Sequence, residues 1–254
     1  MTVTFLGTGT SQGVPVIGCQ CVACQSSNMK DKRLRTSALI EISGNRILID
    51  AGPDFRQQLL RANISKIDAI LLTHEHKDHI GGLDDIRALN YISGKPVDIY
   101  AEARVLNALR LEYAYAFAEN PYPGVPEMNL HEISAESNFF INNICITPIR
   151  VMHHKLPVLG FKIASLVYIT DANKIDGQEF QKIKGCDTLI INALRKKEHL
   201  SHFSLSQALK IADMSGAKNT FLTHISHQMG LHDEIENDLP ENVKLAYDEL
   251  EFRV

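Results

Sequence analysis

The sequence predicts an α/β protein in which a mixed sheet, or two sheets, is flanked by helices. Short apolar, β-branched runs recur along the chain, the early ones follow one another without helices, and the later ones alternate with segments of helical periodicity. The 254 residues contain no internal repeat, low-complexity tract or obvious linker. We therefore expect residues 1–254 to form a single domain.

The predicted strands are short and rich in Val, Ile and Leu, which is typical of buried strands. They occupy residues 3–7, 37–42, 46–50, 69–73, 97–101, 144–151, 166–170, 188–192, 219–224 and 243–247. The turn SGNR at 43–46 predicts a hairpin between the second and third strands. Helical periodicity fits residues 54–62, 79–92, 102–118, 176–184 and 204–215. The proline-rich stretch 118–130 is too apolar for a linker, and we expect a lid or a surface loop.

Composition argues against several classes of function. The 26 Lys and Arg residues nearly balance 30 Asp and Glu, the net charge is −4, and no basic block typical of a nucleic-acid-binding protein is present. No run of about 18 apolar residues occurs, so we expect no membrane span. The segment MTVTFLGTGT predicts a strand and a turn rather than a signal peptide, which favours a cytoplasmic protein with reduced thiols.

The segment HEHKDH concentrates the histidines of the chain. It directly follows the predicted strand at 69–73 and contains His74, His76, Asp78 and His79. Imidazole and carboxylate together suit Zn, Mn or Fe. In an extended segment His74 and His76 project to the same side, whereas Asp78 and His79 fall on the turn into the next helix. A capping role for Asp78 would not require three histidines, so we predict a metal site.

Further candidate ligands stand at the C-terminal ends of other predicted strands. The run ICITPIRVMHH ends in His153 and His154, Asp171 follows LVYIT, and NTFLTH ends in His224. Sites in layered α/β proteins commonly form at such strand ends. Two metals that share one carboxylate need about seven or eight ligands, a number that these residues supply together with the HEHKDH segment.

The segment THEHKDH resembles the H-x-H-x-D-H signature of the metallo-β-lactamase-fold hydrolases. The resemblance extends over nearly the whole chain, through FLGTGTS (5–11), ILIDAG (47–52), HKLPVLGF (154–161), ITDA (169–172) and LTHISHQ (222–228). It implies an α/β (α+β) fold, the αββα sandwich, with two mixed sheets flanked by helices and metals at one edge. It also implies a binuclear site with His74, His76 and His154 on the first metal, Asp78, His79 and His224 on the second, and Asp171 between them.

The resemblance favours His154 over His153 as the ligand. The related enzymes place this histidine six residues before the Gly of the following strand, and His154 has that spacing from Gly160. Asp50, in ILIDAG, matches a position that supports the site from outside the ligand shell; a cap on the following helix is the alternative role. Manganese and zinc both accept His and Asp ligands, so we expect two divalent metals, either Mn or Zn.

Three cysteines, Cys19, Cys21 and Cys24, lie within six residues. A disulfide is not expected in a reducing compartment, and a catalytic thiol would not come in threes. The C-x-C-x₂-C spacing therefore predicts part of a closed structural zinc site that needs one more ligand. If His224 binds the catalytic pair, His227 is free to complete a Cys₃His set. A cluster of reduced thiols without an ion is the alternative.

These cysteines, with a histidine three residues after a metal ligand, resemble the PhnP type of phosphodiesterase in the carbon–phosphorus lyase pathway. That type opens the cyclic phosphate of a phosphoribosyl 1,2-cyclic phosphate. The resemblance implies a metal-dependent hydrolase for a small-molecule phosphodiester, and a homodimer. In the related enzymes a histidine before the helix predicted at 204–215 serves as general acid or phosphate ligand, and the helix register favours His202 over His199. Asp78 is also expected to orient the attacking water.

Several alternatives remain open at this point. A tRNA 3′-end endonuclease of the same fold would carry a Gly/Pro-rich arm, which is not visible here, and the net charge does not favour a polyanion. A lactonase or a thioesterase of the glyoxalase II type shares the metal motif without the cysteines. The protein of pyrroloquinoline quinone biosynthesis has a similar cysteine cluster but departs from H-x-H-x-D-H. A non-catalytic binding protein usually loses metal ligands, and this chain retains them.

Overall fold

Fifteen strands form two mixed sheets, and a computed structural model describes every residue from Met1 to Val254. The strands are β1 (Thr2–Gly7), β2 (Ser37–Ile42), β3 (Asn45–Ile49), β4 (Ala69–Leu71), β5 (Val97–Ala101), β6 (Met128–Glu132), β7 (Phe139–Ile141), β8 (Ile144–His153), β9 (Leu156–Ile163), β10 (Leu166–Ile169), β11 (Lys174–Ile175), β12 (Thr188–Asn192), β13 (Asn219–Thr223), β14 (Val243–Leu245) and β15 (Glu251–Arg253). The first sheet has the order β15-β1-β2-β3-β4-β5-β6. The second has the order β11-β8-β9-β10-β12-β13-β14, with β7 paired to β8.

Each sheet changes from antiparallel to parallel pairing across its width. In the first sheet β1, β2 and β3 are antiparallel neighbours, and β3 to β6 are parallel. In the second sheet β8, β9 and β10 are antiparallel, and β10, β12, β13 and β14 are parallel. Parallel strands end at the same edge of their sheet, so each sheet presents several C-terminal strand ends side by side.

Helices cover the outer faces of the sheets. They are α1 (Val22–Gln25), α2 (Phe55–Arg61), α3 (Lys77–Ile80), α4 (Arg87–Ser93), α5 (Ala103–Glu112), α6 (Gly177–Ile183), α7 (Leu205–Ser215) and α8 (His232–Asn237), with short 3₁₀ turns at Met29–Asp31, Leu83–Ile86 and His227–Met229. The start of α7 is fixed by a capping box between Ser204 and Gln207. No helix combines the length and apolar character that a bilayer span requires.

Three apolar layers hold the sandwich together. The middle layer lies between the two sheets and contains 21 buried residues, among them Phe5, Phe161 and Tyr168. The layers between each sheet and its helices contain 20 and 22 buried residues. Each sheet therefore has a buried apolar layer on both of its faces. This explains the continuous apolar character of strands such as TLIIN (188–192).

The αββα sandwich predicted from the sequence is confirmed, and all ten predicted strands are present. The strand β9 was not predicted because Pro157 and Gly160 interrupt its apolar run. Gly160 is required there, since a Cβ at this position would lie 2.7 Å from the carbonyl oxygen of Tyr168 in the paired strand. The other unpredicted strands, β6, β7, β11 and β15, are short or lie at sheet edges.

Two helical predictions were too long. Residues 79–92 divide into the end of α3, a 3₁₀ turn and α4, and the helix predicted at 102–118 ends at Glu112. The proline-rich stretch 118–130 is a surface loop that leads into β6. It packs on α4, where the Asn90 side chain bonds both backbone groups of Glu127, and Gly124 lies against the Tyr91 hydroxyl.

Candidate functional site

Seven side chains from both sheets meet at the edge where the parallel strands end. Four groups at this edge have ligand atoms within 4.8 Å of one another: His74, His76 and His153; Asp78, Asp171 and His224; His74, His79 and Asp171; and His153, Asp171 and His202. We refer to the seven residues of the first three groups as the histidine cluster. Asp171 belongs to three of the four groups, so its carboxylate lies between the two halves of the cluster.

The prediction that His154 belongs to this cluster is wrong, and His153 takes its place. The strand β8 continues through His153, whose ring lies 5.2 Å from that of His76. His154 instead begins the turn between β8 and β9, with φ at +57°, and its side chain is exposed. His153 pairs with Leu156, so the hairpin loop consists of two residues and the spacing to Gly160 is one residue longer than the resemblance implies.

The tautomer of His153 leaves one ring nitrogen free for a ligand. Its Nδ1 lies 2.8 Å from the carbonyl oxygen of Ser201. A carbonyl oxygen only accepts hydrogen bonds, so Nδ1 carries the proton and Nε2 has a free lone pair. A metal-binding imidazole commonly has its second nitrogen held in this way.

His79 is oriented by Asp50 from outside the cluster. The Asp50 carboxylate accepts hydrogen bonds from His79 Nδ1 at 2.7 Å and from the Thr73 backbone N–H at 2.9 Å. Asp50 therefore supports the site and does not cap α2, which begins after Asp54. The His79 Nε2 atom is buried and makes no hydrogen bond, although carboxylate oxygens of Asp78 and Asp171 lie 3.3 and 3.2 Å away. A cation between these atoms would satisfy all three.

The protonation states of the cluster also suit a cation. Burial lowers the pKa of His74 well below its usual value, and burial likewise lowers the pKa values of His76 and His224. These imidazoles are therefore neutral at pH 7, which is the form that binds a metal. For His79, burial lowers the pKa, but the carboxylates of Asp171, Asp50 and Asp78 outweigh it and raise the pKa well above its usual value. The same negative charge that raises this pKa favours a cation beside His79.

Hydroxyl and amide side chains fix the positions of Asp171 and His224. Thr170 Oγ1 donates a hydrogen bond to the Asp171 carboxylate at 2.7 Å, and Thr10 Oγ1 lies 3.2 Å from His224 Nε2. The fully buried Asn192 accepts from the Ala172 N–H at 2.8 Å and donates to the Ala172 carbonyl at 2.9 Å. Sequence analysis missed these supporting residues; the polar residue ending the apolar run TLIIN was the signal for Asn192.

Three residues of the site have a left-handed backbone. Asp50, Asp171 and His224 each follow the end of a strand, with φ values of +62°, +53° and +55°. This conformation costs about 1–2 kcal/mol for a residue with a Cβ. Such strain is concentrated at functional sites, and here it turns each side chain toward the common edge.

The predicted proton donor, His202, lies beside the cluster. It is 8% exposed, and its ring centroid lies 4.6 Å from that of His153 and 4.9 Å from that of His224. Its Nδ1 atom is buried without a hydrogen bond, 3.7 Å from the Asp171 carboxylate. Burial lowers its pKa to about 3, against the attraction of Asp171, so the free imidazole is neutral. His199 is more exposed and bonds Ser201 in its own loop.

The three cysteines and His227 form a second group, and His227 lies three residues after His224 of the first. Their ligand atoms lie within 4.8 Å of one another, and His227 Nδ1 is 3.2 Å from Cys19 Sγ and 3.3 Å from Cys21 Sγ. We call these four residues the cysteine cluster. None of its cysteines is in a disulfide. The set of three thiols and one imidazole has the composition of a closed zinc site.

The cysteine cluster favours the thiolate form at one position. The backbone N–H of Cys24 bonds the Cys21 sulfur and lowers the pKa of that thiol to about 6, with a smaller contribution from His227. Burial raises the pKa of Cys24 to about 11. A bound cation would be needed to deprotonate the Cys24 thiol at neutral pH.

An open cleft of about 500 Å³ leads from the surface to the histidine cluster. Its lining contains two members of the histidine cluster, His76 and His153, together with His154, Lys155, Leu156, Leu200 and Ser201. The cleft has room for a small organic molecule. This cleft thus places candidate ligands beside space for a substrate.

Comparison with known proteins gives consistent matches. The family described as "Beta-lactamase superfamily domain" matches residues 45–225. The crystal structure of a diphosphatase from the PhnP family superposes with a TM-score of 0.92 at 38% identity, covering 100% of this chain and 97% of that one.

Two curated relatives carry different names. A ribonuclease Z of Methanococcus maripaludis is 25% identical over 306 residues, which covers 95% of this chain and 93% of the relative. An octanoyltransferase of Porphyromonas gingivalis is 44% identical over 253 residues, which is 99% of this chain but 51% of that protein. The chain thus spans about half the length of this last relative.

Proposed function

The chain belongs to the beta-lactamase superfamily, and from the chemistry of its histidine cluster we propose that this hydrolase cleaves a small phosphodiester with two bound divalent metals. The observation that carries the proposal is the convergence of neutral imidazoles and carboxylates around Asp171. Its expected ligands are His74, His76 and His153 for one ion, Asp78, His79 and His224 for the other, and Asp171 for both. Manganese and zinc both suit this set.

Divalent metals supply Lewis acidity at such a site, where they polarise a phosphoryl oxygen and make water more acidic. The protein's own contribution is orientation. Asp50 fixes the ring of His79, and the carbonyl of Ser201 fixes the ring of His153. Asp78, at the border between the cluster and the solvent, is placed to accept a hydrogen bond from an attacking water.

His202 is the proposed proton donor to the leaving oxygen. It lies against His153 and His224, and its free Nδ1 atom gives the ring one unused polar position. The negative charge of a bound phosphodiester favours the protonated imidazole, because an opposite charge nearby raises the pKa of a histidine. A protonated His202 can then neutralise the alkoxide as the P–O bond breaks.

We propose a structural zinc for the cysteine cluster. The four ligand atoms are close enough to surround one ion, and their chemistry is that of a Cys₃His site. His227 lies three residues after His224, so an ion there would fasten the loop that bears the cysteines to the strand end that supplies a catalytic ligand.

The proposed substrate class is a cyclic ribose phosphate or another small phosphodiester, in line with the resemblance to the PhnP type. The relative from that family is named a diphosphatase, so a diphosphate also belongs among the candidates. Similarity to ribonuclease Z favours tRNA 3′-end cleavage as a second candidate. Against this, the net charge is −4 and residues Met1–Val254 contain no extended arm.

The name octanoyltransferase suggests a different activity for the long relative, and we do not extend it to this chain. Acyl transfer through a covalent intermediate needs a nucleophile beside a base. No cysteine lies in the histidine cluster: three are in the cysteine cluster, Cys145 is exposed and Cys186 is buried in the core. The match also covers only 51% of that relative, so the named activity does not follow for the matching half.

The test is a substrate panel with protein saturated in Mn²⁺ or Zn²⁺. It contains bis(4-nitrophenyl) phosphate, a ribose 1,2-cyclic phosphate, a 2′,3′-cyclic nucleotide, a dinucleoside diphosphate, a precursor tRNA, a lactone and a thioester. Turnover of the small diesters, with preference for the ribose cyclic phosphate, is the expected result. Cleavage of only the precursor tRNA would favour the second candidate, and activity on only the lactone or thioester would overturn both.

A further inference from the structure

The three expected ligands of the first ion come from different sheets. His74 and His76 follow β4 of the first sheet, whereas His153 ends β8 of the second. The ring centroid of His153 lies 5.7 Å from that of His74 and 5.2 Å from that of His76. Zinc–nitrogen bonds are about 2.0–2.1 Å long, so a small shift of one sheet edge against the other would take a ligand out of range. Contacts that fix this spacing therefore affect the affinity for the metal.

Arg104, in the first turn of α5, joins the two segments that bear these ligands. Its Nη1 atom forms an ion pair with Glu75, which stands between His74 and His76 in the chain. Its Nη2 atom donates a hydrogen bond to the carbonyl oxygen of Pro157 at 2.7 Å. One guanidinium thus contacts both the ligand-bearing segment after β4 and the β8–β9 hairpin of the other sheet.

The carbonyl that accepts this hydrogen bond lies close to the third ligand. Pro157, in β9, pairs with Met152 of β8. The adjacent pair of the same ladder joins His153 to Leu156. Neighbouring pairs of a hydrogen-bonded ladder keep a regular geometry. The contact at Pro157 therefore also restrains His153.

The start of α5 makes a second contact with the same hairpin. Glu102, directly before the helix, accepts a hydrogen bond from Arg150 Nη2 at 2.7 Å. Arg150 lies in β8, three residues before His153. The start of α5 is thus bonded to both strands of the hairpin, which restricts the movement of the hairpin relative to the first sheet.

The ion pair between Glu75 and Arg104 has a position that its strength alone does not explain. The two side chains are 25% and 35% exposed, and ion pairs of that exposure contribute little to stability. Neither residue lines the cleft, and Glu75 belongs to none of the groups of candidate ligands. What distinguishes the pair is that it connects ligands from the two sheets.

The ligands of the second ion are held by other contacts. Asp50 orients His79, and Thr10 lies against His224. Arg104 contacts neither of these pairs. Removal of its guanidinium is therefore expected to weaken one of the two metal positions selectively.

We propose that Arg104, through its two contacts, is a positioning residue that holds His153 at the distance the first ion requires. The proposal rests on the binuclear hydrolase proposed above. A guanidinium suits this role because its planar fork directs N–H groups at two partners at once, whereas the ammonium of a lysine is a point charge on a flexible stem. These contacts should raise the affinity of the first metal position and leave that of the second nearly unchanged.

Titration with Mn²⁺ tests the proposal, with the free ion measured by electron paramagnetic resonance. Thiolate sites favour zinc, so Mn²⁺ reports on the histidine cluster, where the wild-type protein should bind two ions. Arg104→Met retains an apolar stem and should raise the Kd of one ion by about 10- to 100-fold, the usual loss at residues that support ligands. The other Kd should change less than about threefold. The kcat for bis(4-nitrophenyl) phosphate should recover at saturating Mn²⁺.

A double variant separates positioning from a general effect on stability. His153→Ala removes the ligand itself, so the addition of Arg104→Met should weaken metal binding no further. Arg104→Lys should give an affinity between those of Arg104→Met and the wild type. Glu75→Gln removes only the ion pair and should cause the same selective loss on a smaller scale, about 3- to 10-fold. It provides the test if Arg104→Met does not fold.

Arg46→Met is the control, because it removes an ion pair of similar exposure, with Glu41, at the start of β3 and away from the cluster. It should leave both Kd values unchanged. Wild-type affinity in both Arg104→Met and Glu75→Gln, or a loss that adds fully to that of His153→Ala, would overturn the positioning role. Selective loss of one ion without hydrolysis of any phosphodiester by the wild type would support the positioning role and overturn the proposed function. A wild-type cluster that binds neither Mn²⁺ nor Zn²⁺ would overturn both.

Discussion

The histidine cluster and the cysteine cluster are close in sequence at one point, His224 and His227, yet they are built differently. The histidine cluster stands on the ends of β4, β8, β10 and β13, and hydrogen bonds from residues such as Asp50 and Asn192 fix its side chains. The cysteine cluster lies on a loop with a four-residue helix and a short 3₁₀ turn. The first should keep its geometry without metal, whereas the second should depend on its ion for order.

The largest loss of activity is expected for a substitution at His153, with the adjacent His154 as the control. His153→Ala should lose one metal ligand and lower kcat/KM for bis(4-nitrophenyl) phosphate by about 10²- to 10³-fold, the scale seen when one electrostatic group of a catalytic site is removed. His154→Ala, the adjacent control, should retain metal content and stay within about threefold. Equal losses in both variants, measured by metal analysis and kinetics, would contradict the assignment of His153.

Next in size is the effect of the cysteine cluster on stability. Cys21→Ser should release one metal equivalent and lower Tm by about 5–15 °C, because binding free energy at a structural site is folding free energy. Any folded fraction should retain catalytic activity. Cys145→Ser, at an exposed cysteine, is the control and should leave both values unchanged. An unchanged metal content in Cys21→Ser would argue that no ion binds there.

A smaller loss is expected when Asn192 is replaced. Asn192→Ala removes both hydrogen bonds to Ala172 and should weaken metal binding at Asp171 by about 10- to 100-fold, as is usual for residues that support a ligand. A competitive chelator titration measures this affinity. Recovery of kcat at high metal concentration is expected for a positioning role. A loss of kcat that saturating metal does not restore would indicate another role.

The smallest expected effect is the dependence of stability on pH that His232 causes. His232 is buried against Arg33, and its backbone N–H bonds Asp31 at 2.7 Å. Burial, followed by the nearby charge of Arg33, lowers its pKa to about 4. In the unfolded chain the His232 imidazole binds a proton with the ordinary pKa near 6.5, whereas in the folded chain it does so only near pH 4. Its contribution to the free energy of unfolding is therefore fully present above pH 6.5 and falls as pH decreases toward 4.

For the His232 contribution we expect a loss of about 2 kcal/mol in the free energy of unfolding between pH 7 and pH 5. His232→Asn preserves an acceptor for Arg33 without titrating, and its stability should depend less steeply on pH in urea titrations. An identical slope in His232→Asn and the wild type would contradict the proposed contribution.

Sequence predicted most of the fold because the signals were local. Apolar runs such as AILLT and TLIIN locate strands, and the HEHKDH segment locates the ligands that follow β4. His153 was missed because its choice over His154 depends on where a hairpin turns. That register is set by strand pairing, which a count from Gly160 does not reveal. Thr10 acts on His224, which is distant in sequence, so no local pattern marks it. The polar residue that ends TLIIN marks Asn192 but does not reveal its partner, Ala172.

The left-handed backbone shared by Asp50, Asp171 and His224 has a consequence for anyone who diversifies this enzyme. At these positions most amino acids fail for two independent reasons, a lost functional group and an unfavourable φ angle. Alanine scanning therefore cannot tell chemistry from conformation there. Asparagine tolerates the left-handed region and matches aspartate in shape, so Asp50→Asn and Asp171→Asn test the loss of the charge and of one acceptor oxygen without a backbone penalty. Glycine tests the loss of the whole side chain, also without that penalty. A combinatorial library limited to these residues at the three positions would sample folded molecules far more efficiently than full randomisation.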